Sequence, residues 1–318
     1  MGRASNTRQG ADHRHRIEAQ RAAARRARVR NRLLLTAGTI VAVVAVAVTM
    51  VLVSAGSKSP KTPRADGPTG TALASAVKDL TAVPASVLDQ VGGGSLATGD
   101  IGSATALGAG YLAPVSGVPL TAGGKPEVLY VGADFCPYCA ALRWPLIVAL
   151  SRFGSFSGLT TTRSAITDGA GDEEPYPATA TWTFYGSGYT SRYLAFTAVE
   201  TNTNVPDPST GGYTTLQVPT RAQQATMAAY DASDGIPFLD IGNAYIQLST
   251  LAPYGPQDLQ GKTWTQITAA LRDSSSTLGR EIDASANYLT AAICQVTRNQ
   301  PSSACTPAVT RLRARLGP

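Results

Sequence analysis

Residues 128–150 read VLYVGADFCPYCAALRWPLIVAL. An apolar run at 128–131 is followed by a short turn and then by Cys136, Pro137, Tyr138 and Cys139. Beyond them Leu142, Leu146 and Leu150 recur on one helical face. Pro145 is expected to kink that helix without ending it. A strand thus delivers two cysteines to the first turn of a helix. Free N–H groups and a partial positive charge at that end both favour a thiolate. A free cysteine titrates near ~8.5, and a helix N-terminus or a Cys-X-X-Cys pairing lowers that value. Two intervening residues let the second thiol attack a mixed disulfide formed at the first. Cys136 is therefore the expected nucleophile and Cys139 the resolving thiol, both exposed enough to cycle. Pro137 suits an early helical position, where its missing N–H leaves nothing unsatisfied.

The tetrapeptide alone has competing readings. Half of a zinc site also uses Cys-X-X-Cys. The strand before, the helix after and the Pro-aromatic interior favour a redox pair. A c-type haem would need His after the second cysteine, where this chain has Ala140.

The turn resembles the active-site turn of the thioredoxin superfamily, and Cys-Pro-Tyr-Cys is the tetrapeptide common in glutaredoxins. GADFCPYCAALRW, TFYGSGYTSRYLAFTAVE and IPFLDIGN together resemble an uncharacterised membrane-anchored thioredoxin-like family, domain of unknown function 929, across residues 80–310. The resemblance implies an α/β fold: a thioredoxin-like central mixed sheet with flanking helices and a helical C-terminal extension, preceded by one transmembrane helix. It implies that Pro237, which opens a strand after a helix, forms a cis peptide facing the cysteine turn. There Pro237 would keep the thiols from capturing a metal. The Ile236 backbone would pair with an extended client, beside Pro137 and Tyr138. An ordinary trans proline on an edge strand is the other reading. A glutamate often stands in that family where this chain has Asp134 and Leu142; Asp134 keeps the charge and Leu142 does not.

Charge divides the chain. Residues 1–32 hold ten arginines against Asp12 and Glu18, whereas the remainder carries 17 basic and 19 acidic side chains. The main domain therefore gives no electrostatic support to nucleic-acid binding. Its histidine content is zero, since His13 and His15 both lie in the basic arm. That removes Ser-His and Cys-His catalysis and histidine-ligated metals from the domain.

Residues 33–53, LLLTAGTIVAVVAVAVTMVLV, carry no charge. At 1.5 Å per residue such a helix spans about 32 Å, enough for a bilayer core. A cleaved signal peptide has a shorter apolar stretch, although Val53, Ser54 and Ala55 weakly mimic a cleavage site. Arginines on the N-terminal side place the N-terminus in the cytoplasm and the rest outside. The organisation expected is a basic arm (1–32), a transmembrane helix (33–53), a flexible Ser/Pro/Gly/Lys-rich linker (54–71) and an extracytoplasmic domain (72–318).

Within the domain, residues 72–91 are expected to hold a short helix with Leu73, Val77 and Leu80 on one face, and Gly123 with Gly124 to form a tight turn. Strands are predicted over 159–166, 181–185, 192–199 and 244–248, polar loops over 168–177 and 201–212, and a helix over 220–230 with Thr220 as N-cap. From Thr263 onward the pattern is helical, including a face of Ile282, Ala286, Leu289, Ile293 and Val296. Thr306 and Pro307 open a last helix. Cys294 and Cys305 are close enough in sequence to bridge and clamp this corner, or to serve as a second redox pair. Ten residues between them do not suit a zinc knuckle, so no metal and no cofactor is expected.

The function expected is a membrane-anchored, extracytoplasmic thiol–disulfide oxidoreductase. Its partners would be client proteins with thiols or disulfides and a membrane or soluble redox partner. Tyr138 cannot stabilise a thiolate as a His inside the tetrapeptide does, which points to the glutaredoxin range, about −200 to −230 mV. The alternative is an inactive thioredoxin-like binding or scaffold protein, in which Cys136–Cys139 is a static disulfide and the pair is buried or has no open surface around it.

Overall fold

A computed structural model describes residues 61–62, 66–94, 111–231, 233, 235–247 and 254–316. The expected basic arm and membrane span lie outside the described residues, as does most of the linker. No helix among the described residues is long and apolar enough to cross a membrane.

The strands are β1 (Ala113–Pro114), β2 (Thr121–Ala122), β3 (Lys125–Gly132), β4 (Gly154–Ser157), β5 (Thr160–Arg163), β6 (Ala180–Thr183), β7 (Gly188–Ser191), β8 (Ala195–Glu200), β9 (Asn202–Asp207), β10 (Gly212–Thr215), β11 (Phe238–Ile241) and β12 (Tyr245–Gln247). The helices are α1 (Gly70–Thr81), α2 (Ala85–Val91), α3 (Pro137–Ser151), α4 (Arg221–Tyr230), α5 (Trp264–Ala270), α6 (Thr277–Val296) and α7 (Pro307–Arg313).

The sheet that carries the site is mixed. β8 pairs parallel with β3, from Glu127 opposite Ala195 to Gly132 opposite Glu200. On β3, β11 runs antiparallel with Phe238 opposite Val131. β12 is antiparallel to β11, and β1 to β12. Successive strand residues face opposite sides, and here both sides are covered. Val128 and Tyr130 of β3 join Leu239, Ile241 and Tyr245 in the cluster built on α3 and α6. Leu129 and Val131 join Val199, Phe238, Ile246 and Met227, the last from α4. An unbroken apolar strand is what a doubly covered position requires.

α3 is the most enclosed element near the site. Every residue of it except Tyr138 and Ser151 is buried. Inside such a helix, Pro145 removes the N–H that Ala141 O would have accepted. The Tyr254 hydroxyl donates to that carbonyl at 2.6 Å. Thr181 Oγ1 donates to Ala140 O at 2.8 Å, and Trp144 Nε1 to Ala180 O at 3.1 Å, which ties α3 to β6. α6, about 30 Å long at 1.5 Å per residue, packs across α3 and starts at Ser276, whose side chain accepts from Gly279 N. Cys294 near its end is disulfide-bonded to Cys305.

Several boundaries differ from expectation. The short helix expected within 72–91 is α1, starting two residues earlier at Gly70, and a second helix, α2, follows it from Pro84, which cannot continue α1 and instead caps α2. The 192–199 strand breaks at residues 192–194, leaving β7 before and β8 after. The polar segment 201–212 holds β9, which pairs with β10 as a hairpin. The helix after Thr220 has the expected N-cap, completed as a capping box with Gln223. Thr306 caps α7 with Pro307 at its first position. Gly123 and Gly124 turn β2 into β3 with φ of 57° and 74°, a region open to glycine.

Two substitutions test this packing. Tyr254→Phe leaves Ala141 O buried without its donor and should lower unfolding free energy by about 1–3 kcal/mol in urea titrations. Asp283, on α6, is fully buried, with no hydrogen-bond partner for either carboxylate oxygen among the described residues. Burial pushes its pKa up to about 8. The unfolded carboxyl loses its proton first, so the stability that neutral Asp283 contributes is full below pH ~4 and is lost as pH rises through about 8. Asp134 and Asp240, each raised to about 6, act in the same direction at lower pH. Between pH 7 and 8.5 the melting point of Asp283→Asn should therefore gain on the wild type. A constant difference would contradict the assignment.

Candidate functional site

β3 ends at Gly132, and residues 133–135 carry the chain to the start of α3. Cys136 is the N-cap, in extended conformation, with Pro137 at the first helical position. Its sulfur accepts a hydrogen bond from Cys139 N at 3.1 Å, one of the N–H groups that a helix leaves unpaired at this end. Cys136 Sγ also lies 3.9 Å from Ile236 O. The Ile236-Pro237 peptide is cis and leads directly into β11. Both cysteines are free thiols. The structure thus brings together Cys136, Cys139, Pro137, Tyr138 and Ile236 with Pro237, and it joins Cys294 to Cys305 as a disulfide apart from them.

Exposure departs from expectation. Cys136 retains 5% of its surface and Cys139 none, while Tyr138 between them is 38% exposed. Phe135 and Ile236 pack against the pair. Phe135 in turn stacks on Tyr213 of β10, with centroids 4.2 Å apart and planes 8° from parallel. Tyr213 hydrogen-bonds Glu174 in the acidic loop. That loop is anchored to the cysteine turn by Ala165 N donating to Phe135 O at 3.0 Å. Tyr176 from the same loop meets Tyr138 edge-on at 6.1 Å. The pair is buried because the 164–178 loop and the β9–β10 hairpin fold over one side of the turn.

The two sulfurs have opposite acidity. Burial raises the Cys136 thiol, but the hydrogen bonds from Cys139, the charge of Arg143 and the Tyr138 backbone outweigh it, and the net shift is downward. Cys139 is pushed well up, chiefly by burial and then by its hydrogen bond and proximity to Cys136. The first cysteine is thus the more acidic of the two and the second the less acidic.

Beneath the turn lies a buried ion cluster. Arg143 Nε donates to Glu200 Oε1 at 3.0 Å and Nη2 to Glu200 Oε2 at 2.6 Å. Nη2 also reaches Ala133 O at 2.9 Å and lies 3.6 Å from Asp134 Oδ1. Burial works against the Arg143 charge, but Glu200, Tyr130 and Asp134 hold the guanidinium protonated. Asp134 is raised to about 6, first by burial, with Arg143 pulling the other way. Gly132 belongs to this geometry, since a Cβ there would come within 2.1 Å of the Tyr130 hydroxyl. No group of three or more His, Cys, Asp or Glu able to hold a metal occurs among the described residues.

Residues 111–208 match the sequence model of a family described as Domain of unknown function (DUF929). The match supports that family. The DUF929 match spans β1 to β9 and so holds the cysteine pair, Arg143 and Glu200, and it ends before Ile236. No curated protein and no solved structure matches the chain.

Sequence reasoning singled out Asp134 but passed over Arg143, Glu200, Tyr176 and Tyr213. A signal for the first two was present: Arg143 is the lone charge in an apolar helical run, and Glu200 closes an apolar strand. Tyr176 and Tyr213 lie in segments whose polar composition reads as loop, and only the tertiary fold brings them to the turn.

The acidity order predicts alkylation order. Native reduced protein treated with iodoacetamide at pH 7 should carry the label on Cys136 well before Cys139, as read by peptide mass mapping. Equal labelling of the two would contradict the assignment.

Proposed function

We propose that the protein is a thioredoxin-like thiol–disulfide oxidoreductase acting on protein thiols or disulfides, held outside the cell membrane by residues 33–53. The single observation that carries the reading is the Cys136 sulfur at the N-cap of α3, hydrogen-bonded by Cys139 N and facing the Ile236 carbonyl. A strand, the Cys-X-X-Cys turn, a helix and then a proline-led strand facing that turn, in a mixed sheet, is the layout that the thioredoxin resemblance implies. Chain order in β3, α3, β8 and β11 agrees with it.

The chemistry balances without a cofactor. Cys136 thiolate attacks one sulfur of a client disulfide, an S–S bond forms to Cys136, and the other client sulfur leaves as thiolate and takes up a proton. Cys139 then gives up its proton and attacks Cys136 Sγ. The Cys136–Cys139 bond forms, the mixed disulfide breaks and the second client sulfur leaves. The client gains two electrons and the pair is oxidised; run backwards, the same steps oxidise a client dithiol. A dithiol or disulfide partner resets the pair. Ile236 O, next to the attacked sulfur, would accept a hydrogen bond from the client backbone, with Tyr138 as the exposed apolar contact.

A second reading has its own observation. Burial of both sulfurs suits a binding or scaffold protein of the cell envelope that keeps the fold without turnover.

Insulin reduction and reoxidation of reduced ribonuclease separate the two. The oxidoreductase reading expects activity in at least one assay, its loss in Cys136→Ser, and client proteins trapped as mixed disulfides by Cys139→Ser. Indistinguishable wild type and Cys136→Ser, with an empty Cys139→Ser trap, would leave the scaffold reading.

A further inference from the structure

Arg143 stands four residues after Cys139 on α3, so the two share a helical face. Helical side chains lean toward the N-terminus, and the guanidinium reaches back under the cysteine turn. Its Nη2 donates to Ala133 O, the carbonyl that also accepts from Cys136 N at 3.3 Å. Arg143 is fully buried, and among the described residues it is the only Lys or Arg that is buried. Charged and titratable groups face it from β8, the cysteine turn, β3 and its own helix. Glu200 at the end of β8 grips Nε and Nη2. Asp134 in the turn lies 3.6 Å away. The Tyr130 ring of β3 is 5.8 Å from Cζ. Cys136 and Cys139 lie at the head of its own helix. Nη1 has no hydrogen-bond partner among the described residues.

Stability alone does not account for this arrangement. A buried ion pair is commonly replaceable by apolar side chains without loss, because desolvating two charges offsets their attraction. An apolar residue would continue the α3 pattern at this position. What the pair does provide is a cation fixed in place by Glu200, in a site where burial makes any sulfur anion expensive.

We propose that Arg143 is a positioning residue for the redox pair, held by Glu200 so that one guanidinium stabilises negative charge first on the Cys136 sulfur and then on the Cys139 sulfur. The proposal rests on the oxidoreductase reading. In that reaction the charge on Cys136 is neutralised when the mixed disulfide forms, and Cys139 must become anionic before the second bond can form. The proton that Cys139 gives up balances the one taken by the first departing client sulfur. The Arg143 charge pulls the pKa of both thiols down, against the burial that leaves Cys139 raised overall, and no other side-chain cation is among the main causes for either.

Two variants move the thiolate in opposite directions. In Arg143→Met/Glu200→Gln both charges leave together, so no lone ion stays buried, and the Cys136 pKa should rise by roughly one unit, the scale expected for losing a nearby opposite charge. In Glu200→Gln the cation remains and its counter-charge is gone, so the Cys136 pKa should fall. The readout is thiolate absorbance at 240 nm of the reduced protein against pH, with Cys136→Ser as the blank. A merely structural pair would lower the melting point in both variants and shift neither titration. Unchanged titrations, or shifts of the same sign, overturn the proposal. Should the double variant fail to fold, the sign in Glu200→Gln decides alone. The outcome is separable from the function itself. Thiol exchange by the wild type with unmoved titrations defeats only the role of Arg143. Opposed titration shifts in a protein without exchange defeat the oxidoreductase reading and leave Arg143 as the control on thiol charge.

Discussion

Enclosure of α3 is the constraint from which most of the site follows. A helix with one wet side can leave an unpaired carbonyl or a charged head to water. α3 has only Tyr138 and Ser151 outside the buried set, so its polar groups must be answered by protein. The carbonyl released by Pro145 is met by Tyr254, and that of Ala140 by Thr181 in addition to its helical bond. The Arg143 charge is met by Glu200. At the N-terminus, where four N–H groups lack helical partners, one of them is met by the sulfur of Cys136. The thiolate-stabilising bond is thus one more instance of the same rule. A buried helix end needs an acceptor, and here the acceptor is a reactive group.

The sheet sets where that helix end can be. β3 is paired on both sides, by β8 and β11, and its alternating residues feed two separate apolar clusters. Its register with β8 places Glu200 opposite Gly132, at the end of the strand where the chain leaves for the cysteine turn. Its register with β11 places Phe238 opposite Val131, so Pro237 and Ile236 fall beside the same turn. Neither partner strand could slip by one residue without sending its apolar side chains to the wrong face. The packing that stabilises the sheet therefore also fixes the distances around Cys136.

How much of this was readable in the chain depends on the range of the signal. The strand–turn–helix around Cys136 is local: apolar run, Pro at the first helical position and leucine periodicity all lie within residues 128–150. The capped starts of α4 and α7 are equally local, as Thr220 and Thr306 show. The face of Leu73, Val77 and Leu80 likewise marks α1 locally, and Pro84 marks where α2 begins. The β9–β10 hairpin, by contrast, was missed. Its residues are polar and half exposed, so alternation between core and solvent is too weak to register as strand. The Arg143–Glu200 pair joins positions 57 residues apart, and a pairing across that separation is determined by the β3–β8 register and not by any local pattern.

Burial of the cysteines bears on how a client could reach them. The exchange reaction proposed for the pair asks for access to one sulfur only, since in it Cys139 attacks a bond already seated at Cys136. The asymmetry between a 5% exposed Cys136 and a closed Cys139 matches that division of labour, as does the opposite direction of their acidity. The Phe135–Tyr213 stack and the Glu174 contact close one flank, while the exposed Tyr138 ring and the Ile236 carbonyl mark the other. Under the oxidoreductase reading the client presents its cysteine on an extended segment, one strand wide, whose backbone can pair with residue 236. Under the same reading, the walls that narrow access to the Cys136 sulfur would also keep water and stray thiols from it.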